Sequence, residues 1–195
     1  MTFIAKIPAL LIAVLSLTTL NSVAQTTFGG NTNTTFEKKD PAVTIEDIGW
    51  MDKNKISQEV AKINELAQLK LGTSLRTDMS DLDTLQRIID RDLVKREDYA
   101  TQQAMGVALG QVFLADFPQT LEWKVYRDNV GRSRALCAKG TQQCFFPVTM
   151  LSRRMEVGSK PDVKKIYVDA IDLMKEYLPK IPYTDGEVLH RLPRQ

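Results

Sequence analysis

LEWKVYRDNVGRSRALCAKGTQQCFFPVTM, residues 121–150, is the stretch that decides the fold. Leu121, Trp123 and Val125 alternate with Glu122, Lys124 and Tyr126, the period of a half-buried strand. Asp128-Asn129-Val130-Gly131 reads as a turn, and the chain returns as a second strand from Ser133 to Ala138. Gly140-Thr141 lies midway between Cys137 and Cys144, so a tight hairpin leads into a third strand, from Gln143 to Phe146. Opposed Cα atoms of a non-hydrogen-bonded pair lie about 4.5 Å apart, within disulfide reach. The spacing therefore pairs Cys137 with Cys144. A redox role would want a C-x-x-C turn or a helix N-terminus beside a thiol, and the sequence shows neither. Trp123 faces the core with Leu121 and Val125, and Tyr126 faces the other way.

On both sides of this stretch the period is helical. Ile56, Val60, Ile63, Leu66 and Leu69 mark one face of a helix over residues 51–71 that Gly72 ends. Leu82, Leu85, Ile88, Ile89 and Leu93 mark a second, capped at Ser80, with Asp81 and Asp83 at its positive end. A third runs over about 97–116 and stops before Pro118. Gly106 and Gly110 each cost about 1 kcal/mol against Ala in a helix, which implies close approach of another backbone. Gln102, Gln103 and Gln111 flank them, so the spacing is not a membrane signal. Pro147 opens a helical piece through Arg154. Pro161-Asp162 opens the last helix, whose buried face is Val163, Ile166, Ala170, Leu173, Met174 and Tyr177. The class is α+β: a small antiparallel sheet of hairpins packed against several α-helices.

The stretch from Tyr99 to Met174 resembles a bacterial domain family of unknown function, number 3806. The likeness is carried by Met105-Gly106-Val107-Ala108-Leu109-Gly110-Gln111, by Trp123 with the Asp128–Gly131 turn, by Arg134-Ala135-Leu136, and by Phe146-Pro147-Val148-Thr149-Met150-Leu151-Ser152-Arg153-Arg154. The resemblance implies a fold and no established activity. The cysteine pair and the N-terminal leader are not part of the resembling pattern.

The N-terminus reads as an address. Lys6 precedes an uncharged, largely apolar run over 7–20, and Ser22-Val23-Ala24 matches the small-x-small pattern before signal-peptidase cleavage. The apolar run is short for a spanning helix, which needs about 20 residues. Residues 1–24 are thus expected to be a signal peptide cut after Ala24, which sends the protein to the periplasm or the exterior. Residues 25–41, rich in Thr, Asn and Gly, read as a flexible linker. Residues 42–195 read as a single domain with an irregular tail from Lys180, around Pro182 and Pro193.

With 26 Lys+Arg against 24 Asp+Glu, the formal net charge is +2. That disfavours a nucleic-acid binder, which concentrates basic charge on one face. One His and two Cys are too few for a Cys/His zinc cluster, and no metal or cofactor is expected. His190 lies in the tail, where nothing positions it as a base. Asp78, Asp81, Asp83, Asp90 and Asp92 lack the spacing of a calcium loop and read as surface charge paired with Arg87 and Arg91. There is no G-x-S-x-G, Walker or H-E-x-x-H motif. The candidate binding residues are Arg153 and Arg154, with Arg132 and Arg134 nearby and Lys139 on the hairpin tip, since arginine forks suit anions and carboxylates. These features favour an exported, non-enzymatic binding module of the inhibitor or immunity type, partnered by an envelope protein and without stable membrane insertion after leader removal. The alternatives are a carboxylate-dependent envelope hydrolase and a structural or assembly factor.

Overall fold

Alternating burial along Leu121–Arg127 (β2) turns Leu121, Trp123 and Val125 into the core and leaves Glu122, Lys124 and Tyr126 half-buried on the opposite face. In the computed structural model, which describes residues 43–179, β2 is a central strand of a four-stranded antiparallel sheet. Its neighbours are Thr44–Asp47 (β1) and Arg132–Ala138 (β3), and Cys144–Phe145 (β4) follows β3. The register sets Trp123 opposite Leu136 and Cys137 opposite Cys144. The described residues fall within one compact unit, Lys39–Gln195. The leader, the linker through residue 41, the tail from 180 and His190 lie outside them.

Among the described residues, five helices accompany the sheet: Trp50–Leu71 (α1), Ser80–Asp90 (α2), Tyr99–Asp116 (α3), Pro147–Glu156 (α4) and Val163–Met174 (α5). Four of them have a local signal at one end. Gly72 closes α1 in the left-handed region at φ 66°, where a side chain is strained. Asp98 caps α3 by accepting from Thr101 N, and Asp162 caps α5 by accepting from Lys165 N. Pro147 occupies the first turn of α4, where its missing N–H leaves nothing unsatisfied.

α3 is the hub, with apolar residues buried on every side. Of its two glycines, Gly106 meets another backbone as the spacing implies, whereas Gly110 meets a side chain. A Cβ at Gly106 would lie 2.5 Å from Val148 Cα and 2.7 Å from Val148 O, so α4 crosses there in backbone contact. At Gly110 a Cβ would overlap the Trp123 ring at Cζ2. Phe113 stacks on Tyr167 of α5 at 4.6 Å and meets Phe145 edge-on at 4.9 Å, tying the last helix and the last strand to the hub.

Several expectations are corrected. β1 was not foreseen, because Thr-Ile-Glu-Asp carries no apolar alternation and is ordered only by pairing with β2. Leu69 and Leu173 are exposed at 74% and 65%, and Tyr177 is partly exposed, whereas Ala67 and Tyr167 are buried. The four-and-three rhythm of α1 runs Ile56, Val60, Ile63, Ala67, and a small residue completed it. Ser80 does not cap α2. It is the first helical residue, and Asp78 accepts its backbone N–H at 2.8 Å. Asp81 is buried and turns back to accept from Arg76 N and Thr77 N, holding a loop in which Thr77 takes φ 56°. Arg87 and Arg91 do not pair the acids. Lys164 meets Asp83, Lys160 meets Asp92 and Arg76 meets Asp78. The first two of these contacts depend on the packing of α5 and its leading loop.

Candidate functional site

The hairpin tip is built from its turn outward. Gly140 adopts φ 74°, Thr141 Oγ1 donates to Ala138 O, and Gln143 N donates to Thr141 Oγ1. Ala138 N donates to Gln143 O, so the next pair outward along the ladder, Cys137 and Cys144, is the close non-hydrogen-bonded kind. A disulfide joins them across a Cα separation of 4.0 Å, and no cysteine is free. Residues 139–143 are exposed on the far side of this staple.

Beside the tip, a groove of about 250 Å³ opens on the outer face of the sheet, lined by Val43, Ile45, Glu122, Lys124 and the tip residues Gly140 to Gln142. Its electrostatic centre is Lys124, whose ammonium lies 2.5 Å from Asp47 and 2.9 Å from Glu122. Hydrogen bonds to those two carboxylates hold the lysine pKa above its ordinary value, and the bond from Lys124 lowers that of Asp47. One cation thus sits between two acids at the groove. Farther along the same face Tyr126 meets Phe146 edge-on at 5.0 Å.

The arginines are dispersed by the fold. Arg134 makes a two-pronged pair with Glu59 of α1 at 2.5 and 3.0 Å, the side chains being only 9% and 14% exposed. Arg132 Nη2 donates to both oxygens of Asp52 at 2.7 Å. Both therefore fasten β3 to α1 and do not form a patch with α4. Arg154 bonds its own helix at Met150 O, and Arg153 is exposed with no ionic partner among the described residues. Lys139 Nζ donates to Pro118 O at 2.9 Å, laying its side chain back along the β2 entry. Of the five basic residues singled out by sequence, Lys139, Arg153 and Arg154 remain exposed without an ionic partner among the described residues.

No group of three or more His, Cys, Asp or Glu among the described residues could hold a metal ion, and no helix among them is long and apolar enough to cross a membrane. The sequence reading missed Val43, Ile45 and Lys124 as groove residues. Only the β1–β2 pairing brings 43–47 beside 122–124, and no local signal announces it.

Residues 81–167 match an uncharacterised family, Domain of unknown function (DUF3806). The match contains the glycine seats, Trp123, the stapled hairpin and α4, and leaves β1 and α1 outside. No curated protein matches the chain. A solved structure from Bacteroides thetaiotaomicron VPI-5482, determined at 1.50 Å resolution, superposes with a TM-score of 0.61 at 17% identity over 70% of this chain. That alignment covers 50% of the Bacteroides chain, so this chain spans half its length. At such identity the likeness is one of fold.

Proposed function

We propose that the protein is an exported, non-enzymatic binding module that holds a protein of the cell envelope against its stapled tip and the adjoining groove. The observation that carries this reading is the disulfide across Cys137 and Cys144, which pre-orders exposed residues 139–143 beside the Val43/Ile45 groove. A loop fixed before contact loses less conformational freedom on binding, so more of the contact energy appears as affinity. The groove suits a partner segment that brings an apolar side chain to Val43 and Ile45 and a cation or N–H donors to Asp47 and Glu122. A disulfide also fits an oxidising compartment, in keeping with the leader read in residues 1–24.

The hydrolase alternative requires two carboxylates from separate elements at one cavity, one of them kept protonated. At the groove Asp47 of β1 and Glu122 of β2 both bond Lys124, which lowers the Asp47 pKa, the opposite of a retained proton, and a second cavity, between the ends of α2 and α4, is lined by one carboxylate, Asp92. An assembly factor would share the surface and differ in the identity of the partner.

The test is crosslinking of the tagged chain 25–195 in its native envelope extract, read by mass spectrometry. It is repeated with Lys139→Glu, Gln142→Lys and Gln143→Lys combined. A stoichiometric protein partner that is lost in the triple variant while the melting curve is kept is the expected result. Retention of the partner by the variant, or recovery of cell-wall fragments in place of a protein, would overturn the reading.

A further inference from the structure

Among the described residues, the three most exposed large apolar side chains are Val130 at 84%, Met51 at 79% and Trp50 at 77%. They come from two separate segments, the start of α1 and the turn between β2 and β3. The fold brings those segments to one end of the domain. Arg132, the first residue of β3, donates from Nη2 to both oxygens of Asp52 across 80 residues of sequence, so the first turn of α1 stands beside the β2–β3 turn.

Neither the helix nor the turn needs these side chains. The buried stripe of α1 runs through Ile56, Val60, Ile63 and Ala67, and one turn earlier it reaches Asp52, which faces Arg132. At about 100° per residue, Trp50 and Met51 fall well off that stripe. In the turn, Asp128 Oδ1 accepts from Val130 N at 2.9 Å and from Gly131 N at 3.0 Å, so Asp128 holds the loop. Turn positions favour Gly, Asn, Asp and Ser, and a valine side chain contributes nothing there. Apolar residues exposed singly are ordinary on a protein surface, whereas three at one end, supplied by two elements, mark a contact surface.

The surroundings point to the occupant. Thr44 pairs with Arg127, the last residue of β2, so the 42 residues upstream of the described ones join the sheet at this same end. They include the uncharged apolar run over 7–20 that reads as an export signal. The acids nearby are mostly taken: Asp52 by Arg132, Glu46 by Arg127 and Asp47 by Lys124. Lys53 and Lys55 are exposed and make no salt bridge among the described residues, with the Asp128 of the turn opposing them. Tryptophan flanked by lysines suits lipid headgroups, because an indole spans the apolar and wet layers while ammonium groups meet phosphates.

We infer that this end of the domain is a docking surface for a phospholipid bilayer. Trp50, Met51 and Val130 enter the headgroup layer, Lys53 and Lys55 lie at the phosphates, and no element crosses the hydrocarbon core. The seven residues of β3, about 23 Å of strand, separate this end from the stapled tip. A domain resting on lipid here holds the tip clear of the surface. The docking surface does not depend on what the tip binds, and its failure would leave the binding-module reading untouched.

The protein carries its own reporter, since Trp50 is exposed and the second tryptophan, Trp123, is buried. The test is a titration of the chain 25–195 with vesicles of phosphatidylethanolamine and phosphatidylglycerol, and with vesicles of phosphatidylcholine. Binding is followed by tryptophan emission and by co-sedimentation. A saturable blue shift is expected, half-complete at about 1 mM lipid, weaker than a single myristoyl chain with its association constant of about 10⁴ M⁻¹. Trp50→Ser combined with Met51→Ser is expected to weaken co-sedimentation about tenfold, and Val130→Asn about threefold. All three sites are exposed, so the melting curves should match the parent. Leu69→Ser, at the far end of α1 and nearly as exposed, is the control and should bind as the parent does. Absence of a blue shift with both compositions, binding that survives the double variant, or an equal loss with Leu69→Ser would overturn the inference. A Trp50-dependent dimer in lipid-free solution, measured by analytical ultracentrifugation, would give the surface to a second copy of the chain and overturn it as well.

Discussion

Gly106→Ala is expected to destabilise the protein even though alanine is the better helix former. In an open helix the exchange would gain about 1 kcal/mol. Here the new Cβ would stand 2.5 Å from Val148 Cα, 2.7 Å from Val148 O and 2.9 Å from Pro147 O. Carbon atoms in contact sit about 3.5–4.0 Å apart, so α4 would have to retreat by about 1 Å. All three obstacles are backbone, and no rotamer change relieves them. Overpacking of this kind costs about 1–3 kcal/mol, and rigid obstacles place the site at the upper end. After the propensity gain is subtracted, a net loss of about 2 kcal/mol remains, a melting point lower by roughly 4–8 °C for a domain of this size. Urea unfolding followed by circular dichroism should show a lower midpoint with an unchanged slope. Gly49→Ala is the steric control, because a Cβ there meets nothing within 4 Å at a φ of −73°; at the N-cap of α1 it should cost only the roughly 0.5–1 kcal/mol by which alanine caps less well than glycine. A Gly106→Ala protein within about 0.5 kcal/mol of the parent, no less stable than Gly49→Ala, would refute the close crossing of α3 and α4.

Replacing Cys137 and Cys144 together by Ser should cost about 2.5 kcal/mol, the loop-closure value for so short a ring, and a change under about 0.5 kcal/mol in denaturant unfolding would contradict it. Arg134→Ala should cost about 3–5 kcal/mol because it strands Glu59 at 14% exposure. Arg134→Leu combined with Glu59→Leu should cost less than that single change, whereas Lys165→Ala, which breaks a pair 69% and 52% exposed, should stay within about 0.5 kcal/mol. Asp98 has its pKa lowered, chiefly by the Thr101 hydroxyl. Its cap is therefore at full strength above the ordinary value of 3.8 and is lost as pH falls through the lowered folded value, so the roughly 1 kcal/mol cost of Asp98→Ala should vanish in acid. Asp81 runs the other way. Burial raises its pKa, so the folded state holds the proton longer, and stability declines as pH climbs from 3.8 to the raised value. Asp81→Asn should flatten that segment of a stability–pH curve, and an unchanged slope would count against the assignment.

Local pattern was enough for much of this protein. The midpoint between Cys137 and Cys144 set a hairpin register, because strand geometry alone determines which residues face each other across a two-stranded turn. Gly106 announced a close crossing of another backbone, because glycine inside a helix costs stability unless something needs the space, whereas at Gly110 the space is taken by the Trp123 ring. The turn at residues 128–131 and the end of α1 at Gly72 were equally local. Packing decided the rest. β1 exists only through β2, since four residues with no apolar alternation do not specify a strand. Arg132 and Arg134 looked like surface forks until α1, 80 and 75 residues away in sequence, supplied Asp52 and Glu59. Leu69 and Ala67 exchanged roles, because hydrophobicity ranks residues by type while burial depends on which side of the helix meets a neighbour. Gln102 could be read as a polar residue in an apolar helix. Its stranded oxygen followed only from the two loop carbonyls that hold the other end of its amide. Periodicity is a property of a few consecutive residues, and partners for charges and buried polar atoms are chosen by elements that lie far apart in the chain.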